Sequence, residues 1–353
     1  MIYTTLQTHI RRATLCGVAI VGGFKGEAAT SLPSSSRVSA ESPVAGIVGP
    51  ALPSSSLSVR DAQGRWQPFW SSDRAPARWE SAPLTRYIRW TAGAHGFHWG
   101  EAELAGSGEA WRTRLIVARL DPAQLAFRLD TAFTENGSPD WSTAKMPRDA
   151  VLAINAGQFE MTMPWGWVVL GGRKWLSPQP GPLSAALAQD ATGALRWVHG
   201  NDVARFSART RGVRWAFQSY PALLVSDTIP AALRGAGRGV DVKHRDARAA
   251  ICMDRDSRLV IAMTRFDGMG SALGFIPFGL TTPEMAAVMG ALGCRDAMSL
   301  DGGISAQMVL RDGEGQTRSW KGVRKVPLAL VAMPSVGTDA GVTTRPTPGA
   351  HRE

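Results

Sequence analysis

The strongest constraint on the fold lies in Gly293–Leu310, GCRDAMSLDGGISAQMVL, where an apolar run stops abruptly at a carboxylate followed by two glycines. Ala297–Leu300 reads as a buried strand, and Asp301-Gly302-Gly303 ends it with residues that permit a backbone with φ > 0. From Ser305 to Leu310 an apolar pattern resumes, so the corner is anchored on both sides and the Asp301 carboxylate is held in place. Asp-Gly is also a common hairpin dipeptide, and taken alone the corner reads better as a type I′ turn. The preceding residues change that balance. Thr281-Thr282-Pro283-Glu284 brings an N-cap hydroxyl, a proline in the first turn and an early acid; Met285, Val288, Met289 and Leu292 supply apolar positions, and Gly293 is a C-terminal stop. The predicted unit is helix, strand, Asp-Gly-Gly corner, strand, with Glu284 as a capping residue rather than a catalytic one.

A second corner has the same form. Val151–Asn155 is an apolar strand that ends at Asn155-Ala156-Gly157, so both strands deliver one short polar side chain to a glycine-containing bend. Around them the chain reads as strands and tight turns. Trp111–Leu120 and Gln124–Asp130 flank Asp121-Pro122, Trp165–Leu170 and Arg173–Leu176 flank Gly171-Gly172, and Arg248–Met253 and Leu259–Thr264 flank Asp254-Arg255-Asp256-Ser257. That last tetrapeptide lacks the glycine and distal glutamate of a calcium loop and reads as a hairpin turn. Many hairpins and one strong helix predict an α+β fold with mixed, largely antiparallel sheets and few helices, not a doubly wound sheet. The Gly235–Gly239 loop precedes no strong helix pattern, which argues against a nucleotide fingerprint.

Domain organisation follows from composition. Residues 1–29 run from basic (Arg11, Arg12) through an apolar stretch (Ala13–Phe24) to small residues, the order of an export signal. Its apolar core falls short of the roughly 20 residues needed to span a bilayer, so no integral membrane segment is expected once it is removed. Residues 30–94 are rich in Ser, Pro and Gly and then in Trp, and predict a linker followed by a lead-in, part of which packs on the domain after it. The globular domain is expected over 95–335, with a flexible tail at 336–353. The net charge of +10 comes from 39 basic residues, of which only six are lysine, and favours anionic partners. The arginines are scattered rather than clustered, which argues against nucleic acid. Within the expected domain, Cys252 and Cys294 leave two readings open, one disulfide or two buried thiols. No cysteine cluster and no partnered histidine pair suggests a metal or other cofactor.

The run TTPEMAAVMGALGCRDAMSLDGGISAQM resembles the signature of the phosphodiester glycosidase domain family, and three further stretches match in order: VLAINAGQF at 151–159, QSYPALLV at 218–225 and ARAAICMDRDSRLVIAM at 247–263. Together with VPLALVAM at 326–333 the resemblance covers roughly residues 95–335; Ile304 stands where the family usually has a third glycine, and Gln158 where an aromatic or small residue is common. The resemblance implies hydrolysis of a sugar-1-phosphodiester. Its phosphate is a good leaving group, so the work that remains is to stabilise positive charge on the sugar and to bind the phosphate, tasks suited to a carboxylate and an arginine. Asp301, Arg248 and Asn155 are the expected catalytic residues. Gly302, Gly303, Ser305, Gln218, Gln158 and Gly157 are expected to bind substrate, the glycines by letting backbone N–H groups approach an anion. The expected partner is a phosphate-containing glycan or sugar phosphodiester of the envelope or of exopolysaccharide, met in the periplasm or outside the cell. The alternative is a non-catalytic glycan-binding module of the cell envelope. An enzyme for ordinary glycosidic bonds is a third reading, and Glu160 with Asp301 would be its carboxylate pair.

Overall fold

The computed structural model describes residues 54–335 except residue 77 and residues 94–95, 210–211, 236–238, 269–273 and 275. The expected export signal at 1–29, the first part of the expected linker and the tail at 336–353 lie outside the described residues. The strands in chain order are β1 (Ser56–Arg60), β2 (Trp66–Ser71), β3 (Arg89–Ala92), β4 (Phe97–Gly106), β5 (Thr113–Leu120), β6 (Leu125–Thr131), β7 (Leu152–Asn155), β8 (Phe159–Glu160), β9 (Met163–Pro164), β10 (Val168–Leu170) and β11 (Arg173–Leu176). They continue with β12 (Ala185–Gln189), β13 (Leu195–His199), β14 (Trp215–Ser219), β15 (Ala222–Leu224), β16 (Ala249–Asp254), β17 (Leu259–Phe266), β18 (Cys294–Ser299), β19 (Met308–Arg311), β20 (Thr317–Trp320) and β21 (Leu328–Pro334). Two α-helices occur among the described residues, α1 (Asp202–Arg209) and α2 (Thr282–Ala291).

The central layer is a nine-stranded antiparallel sheet in the order β15-β18-β16-β17-β5-β4-β1-β2, with β3 on β4. Both of its faces are buried at the middle strands, and strand β17 shows how the pleat divides them. Leu259, Ile261 and Met263 enter one core, while Val260 and Ala262 enter the other. The first core is shared with two five-stranded sheets, β20-β19-β7-β21-β6 and β11-β10-β14-β12-β13, through Leu152, Ile154, Leu187 and Phe217. The second core is closed by α2, whose ten residues are all buried. A helix that is apolar on every side belongs in the interior. Its start is the capping box read from the sequence: the Glu284 N–H donates to the Thr281 hydroxyl at 3.3 Å, and the Thr281 N–H donates back to the Glu284 carboxylate at 2.8 Å. No helix among the described residues is long and apolar enough to cross a membrane.

Three features differ from the sequence reading. Strand β1 falls inside the Ser- and Pro-rich part of residues 30–94 expected as linker, with Leu57 and Val59 fully buried against the α2 core, while Trp79 packs on the domain as expected of the lead-in, where a Cβ on Gly290 would lie 2.2 Å from its ring. Serine and proline around a strand with only two inward positions conceal its alternation. Second, β5 and β6 share a turn but no sheet: β5 lies between β4 and β17, and β6 pairs with β21. Third, the Asp-Gly-Gly corner is not a hairpin. Strand β18 belongs to the central sheet and β19 to a five-stranded one, so the chain crosses between layers at Asp301. Of the two readings left open for the cysteines, the structure holds the disulfide Cys252–Cys294, with 5.8 Å between Cα atoms, tying neighbouring strands β16 and β18.

Candidate active site

The crossing at Asp301 is clamped by backbone from three directions. The Leu300 N–H donates to the Ala249 carbonyl at 2.8 Å, the Asp301 N–H to the Gly157 carbonyl at 3.1 Å, and the Gly303 N–H to the Ala247 carbonyl at 2.7 Å. Asn155, at the end of β7, completes the clamp with its side chain. Its Nδ2 donates to the Asp301 carbonyl at 2.8 Å, and its Oδ1 accepts from the Gln307 N–H at 2.9 Å. The two corners read from the sequence therefore meet, and the Asn155 amide is the stitch between them. The glycines are required by this approach: a Cβ on Gly302 would lie 2.6 Å from the Ala247 carbonyl, and Gly303 has φ +58°.

What the clamp holds is a carboxylate in an unfavourable place for charge. Burial pushes the Asp301 carboxyl up to about 6; the Ser305 hydroxyl, Arg324 and the Gly302 N–H pull the other way, and Asp246 adds to the rise. Asp246 is a second carboxylate at the same corner, with Oδ2 placed 2.6 Å from where a Gly303 Cβ would stand. Its pKa is also raised, first by burial, against the lowering effects of Arg248 and His244. His244 Nε2 lies 3.5 Å from Asp246 Oδ2, and both residues line a cavity of ≈ 430 Å³ with Lys243, Pro277 and Phe278. Arg324 is the cation named above that acts on Asp301; it is exposed, with its guanidinium 4.4 Å over the Phe159 ring and Nη2 donating to the Met161 carbonyl at 3.2 Å. Two carboxyls with raised pKa values, a histidine and an exposed arginine form a constellation for acid–base and charge-stabilising chemistry.

Several residues expected to touch substrate are spent on the frame. Gln218 is buried, with Oε1 accepting from the N–H groups of Trp167 (2.9 Å) and Gln179 (3.1 Å) and Nε2 donating to the Gln179 carbonyl (2.8 Å) and the Ser184 hydroxyl (3.0 Å). These four bonds use both donors and both acceptor positions of the amide, so Gln218 fixes the Trp167 and Gln179 segments. Asn155 also serves the frame, with one bond from Nδ2 and one to Oδ1. The Gly302 and Gly303 N–H groups are turned to Asp301 and Ala247, not to an incoming anion. Ser305 is buried and serves Asp301, while Gly157 offers its carbonyl to the Asp301 N–H. Gln158 stays partly exposed, its Nε2 donating to the Tyr220 carbonyl. Arg248 is held by backbone: Nε donates to the Leu280 carbonyl at 2.8 Å and Nη2 to that of His244 at 2.5 Å. Glu160 is exposed on β8 and is not among the groups acting on Asp301.

Sequence reasoning passed over Asp246, His244 and Arg324 as site residues. Asp246 lies two residues before Arg248, just outside the matched stretch at 247–263, and its carboxylate next to a required glycine is visible only in three dimensions. Arg324 comes from the polar turn after β20, which has no periodic signal.

Compared with known proteins, residues 148–333 match the model of a family described as phosphodiester glycosidase. No curated protein sequence matches the chain. Among solved structures the chain is similar to the catalytic domain of zebrafish N-acetylglucosamine-1-phosphodiester alpha-N-acetylglucosaminidase auto-inhibited by its pro-peptide, at 14% identity over 68% of this chain and 86% of that one, with a TM-score of 0.48. It is also similar to a hypothetical protein from Synechocystis, at 14% identity and TM-score 0.43, where the match covers 68% of this chain and 62% of the other. A protein from Burkholderia pseudomallei, provisionally described as exported, is similar at 15% identity over 79% of this chain and 86% of that one, with a TM-score of 0.44.

Proposed function

Because the chain belongs to the phosphodiester glycosidase family, we propose that it hydrolyses a sugar-1-phosphodiester, breaking the anomeric C–O bond and releasing a phosphate monoester, with Asp301 at the reacting carbon. The observation that carries this reading is the Asp301 carboxyl, raised to about 6 between the Ser305 hydroxyl and the Gly302 N–H, with Asp246 at the same corner. Above that pKa Asp301 is ionised and faces the positive charge that develops on the sugar as the phosphate departs. The leaving phosphate keeps the electron pair of the broken bond and needs little help from an acid. Arg324, exposed and acting on Asp301, is the residue we assign to the phosphate; a guanidinium offers paired donors to two of its oxygens. The attacking water gives its proton to Asp246, whose carboxyl burial makes more basic than an ordinary aspartate and whose neighbour His244 steadies it. Arg248 has a positioning role: it ties the His244 carbonyl to that of Leu280 and so fixes the segment that carries Asp246.

The substrate is a phosphate-bearing glycan of the envelope or of exopolysaccharide, and the chain is exported. The Cys252–Cys294 disulfide supports an oxidising compartment, in line with the basic, apolar and small order of residues 1–29. Mass spectrometry of the native protein checks this, with a mature chain beginning near Thr30 expected and an intact Met1 against it. The function itself is tested by incubating purified protein with a panel of sugar-1-phosphodiesters, with Asp301→Asn as control. Release of free sugar by the wild type alone is expected; saturable binding with no release from any member would leave a glycan-binding module.

A further inference from the structure

Arg265 is a buried cation with no carboxylate paired to it among the described residues. It lies on β17 with 6% of its surface exposed. Its Nη2 donates instead to the backbone carbonyls of Ala306, Trp320 (3.3 Å) and Lys321 (3.2 Å). Burial draws its pKa down to about 10, the response of a charge that the protein solvates poorly. Directly across the β5–β17 ladder stands Arg114, so two like charges face each other on one side of the sheet, an arrangement that disfavours the fold unless something compensates. Arg114 is compensated, with Asp267 at 3.0 Å and Glu101 at 3.6 Å. For Arg265 no such pair occurs among the described residues. Both arginines line a cavity of ≈ 360 Å³ together with Ser319, Trp320, the exposed Lys321 and Asp267, whose carboxylate is taken by Arg114; for Lys321 no carboxylate partner occurs among the described residues.

We propose that this cavity is a second anion subsite, which takes a phosphate or carboxylate carried by a sugar next to the one that is cleaved. The oxyanion fits between Arg265 and Lys321, a hydroxyl from Ser319 is at hand, and Trp320 offers the apolar surface on which a sugar ring packs. The subsite is joined to the catalytic corner through Ala306, which accepts from Arg265 and directly follows Ser305, the hydroxyl partner of Asp301. The glycan half of this assignment rests on the glycosidase reading; the anion half does not.

The test has a binding arm and a kinetic arm. Inorganic phosphate is titrated into the full chain while the indole N–H resonance of Trp320, assigned with Trp320→Phe, is followed. A saturable shift is expected in the wild type and in Arg324→Ala, and an affinity at least about tenfold lower in Lys321→Glu, an exposed position that the fold tolerates. Arg265→Met is expected to lose the same binding, and because it also strips a donor from the carbonyls of Ala306, Trp320 and Lys321 its folding is checked separately, with Lys321→Glu as the variant that leaves those bonds intact. In the kinetic arm, a sugar-1-phosphodiester extended by a uronic acid or a second phosphate is turned over with kcat/KM about tenfold above its neutral counterpart, and Lys321→Glu erases the preference. A Trp320 resonance that does not move, or moves equally in Lys321→Glu, overturns the subsite. Phosphate binding without the acidic preference overturns its assignment to the glycan. Phosphate binding with no turnover of any phosphodiester upholds the anion site and removes the glycosidase reading instead.

Discussion

Asp246 sets its carboxylate against Gly303, so closely that a Cβ there would lie 2.6 Å from Oδ2 and 3.0 Å from Oδ1. The glycine is thus the space in which a second carboxylate reaches the Asp301 corner, and it also holds φ +58°, a backbone that side chains resist.

Gly303→Ala is expected to lower stability by about 1–2 kcal/mol from backbone strain alone, with more from the displaced carboxylate, and to abolish turnover. Adding Asp246→Ala relieves the clash and restores part of the stability but none of the activity. Denaturant unfolding of the single and double variants checks this. A Gly303→Ala protein that melts and turns over like the parent contradicts it.

Asp301 is expected to cost stability at neutral pH. Its folded pKa of about 6 is above the roughly 3.9 of an unfolded aspartate, so the folded state prefers the protonated form. The stability it contributes is complete below about pH 4 and is lost as pH rises through 6. Asp301→Asn should therefore be more stable than the parent at pH 8, by something on the order of 2–3 kcal/mol, and little different at pH 4. Urea unfolding at the two pH values decides; a stability difference that does not change with pH rules the account out.

Asp296 runs the other way. Burial alone would raise its carboxyl, but the bonds from His199, the Ser226 N–H and Arg295 together hold it at about 2. His199 Nε2 lies 2.9 Å from Asp296 Oδ1, and the contact ties β13 of a five-stranded sheet to β18 of the central one. This stability is present above an unfolded pKa near 4 and is lost as pH falls toward 2. Acid unfolding followed by tryptophan fluorescence should show its steepest loss in that window, and Asp296→Asn should flatten it. A variant with an unchanged acid limb returns Asp296 to a passive role.

The helix α2, the strand after it and both polar corners were legible because each is punctuated locally: a capping box, a stop glycine, and an apolar run that ends on one polar residue. The sequence could also single out Asp301. What it could not separate is a polar residue that binds from one that frames. Gln218 and Asn155 look like site residues in one dimension, and only their partners reveal a part in the frame: Trp167, Gln179 and Ser184 take up all four positions of the Gln218 amide, and Asp301 and Gln307 take one donor and one acceptor position of Asn155. Asp246 and Arg324 were missed for the converse reason. They reach Asp301 across sheet layers from turns with no period, and nothing in the local sequence marks a side chain that matters through a distant glycine. The strand Ser56–Arg60 is hidden within the Ser- and Pro-rich part of residues 30–94 because its two buried residues, Leu57 and Val59, are too few to outweigh the serines and prolines beside them.

The most direct test of the central claim is the pH dependence of kcat/KM for the best sugar-1-phosphodiester, measured on the wild type and on Asp301→Asn. If Asp301 acts as an ionised carboxylate, kcat/KM rises with pH through an apparent pKa near 6, and Asp301→Asn loses at least about a hundredfold in rate across the range. A flat profile through pH 6, or an Asp301→Asn variant that hydrolyses the substrate at the parental rate, contradicts the account.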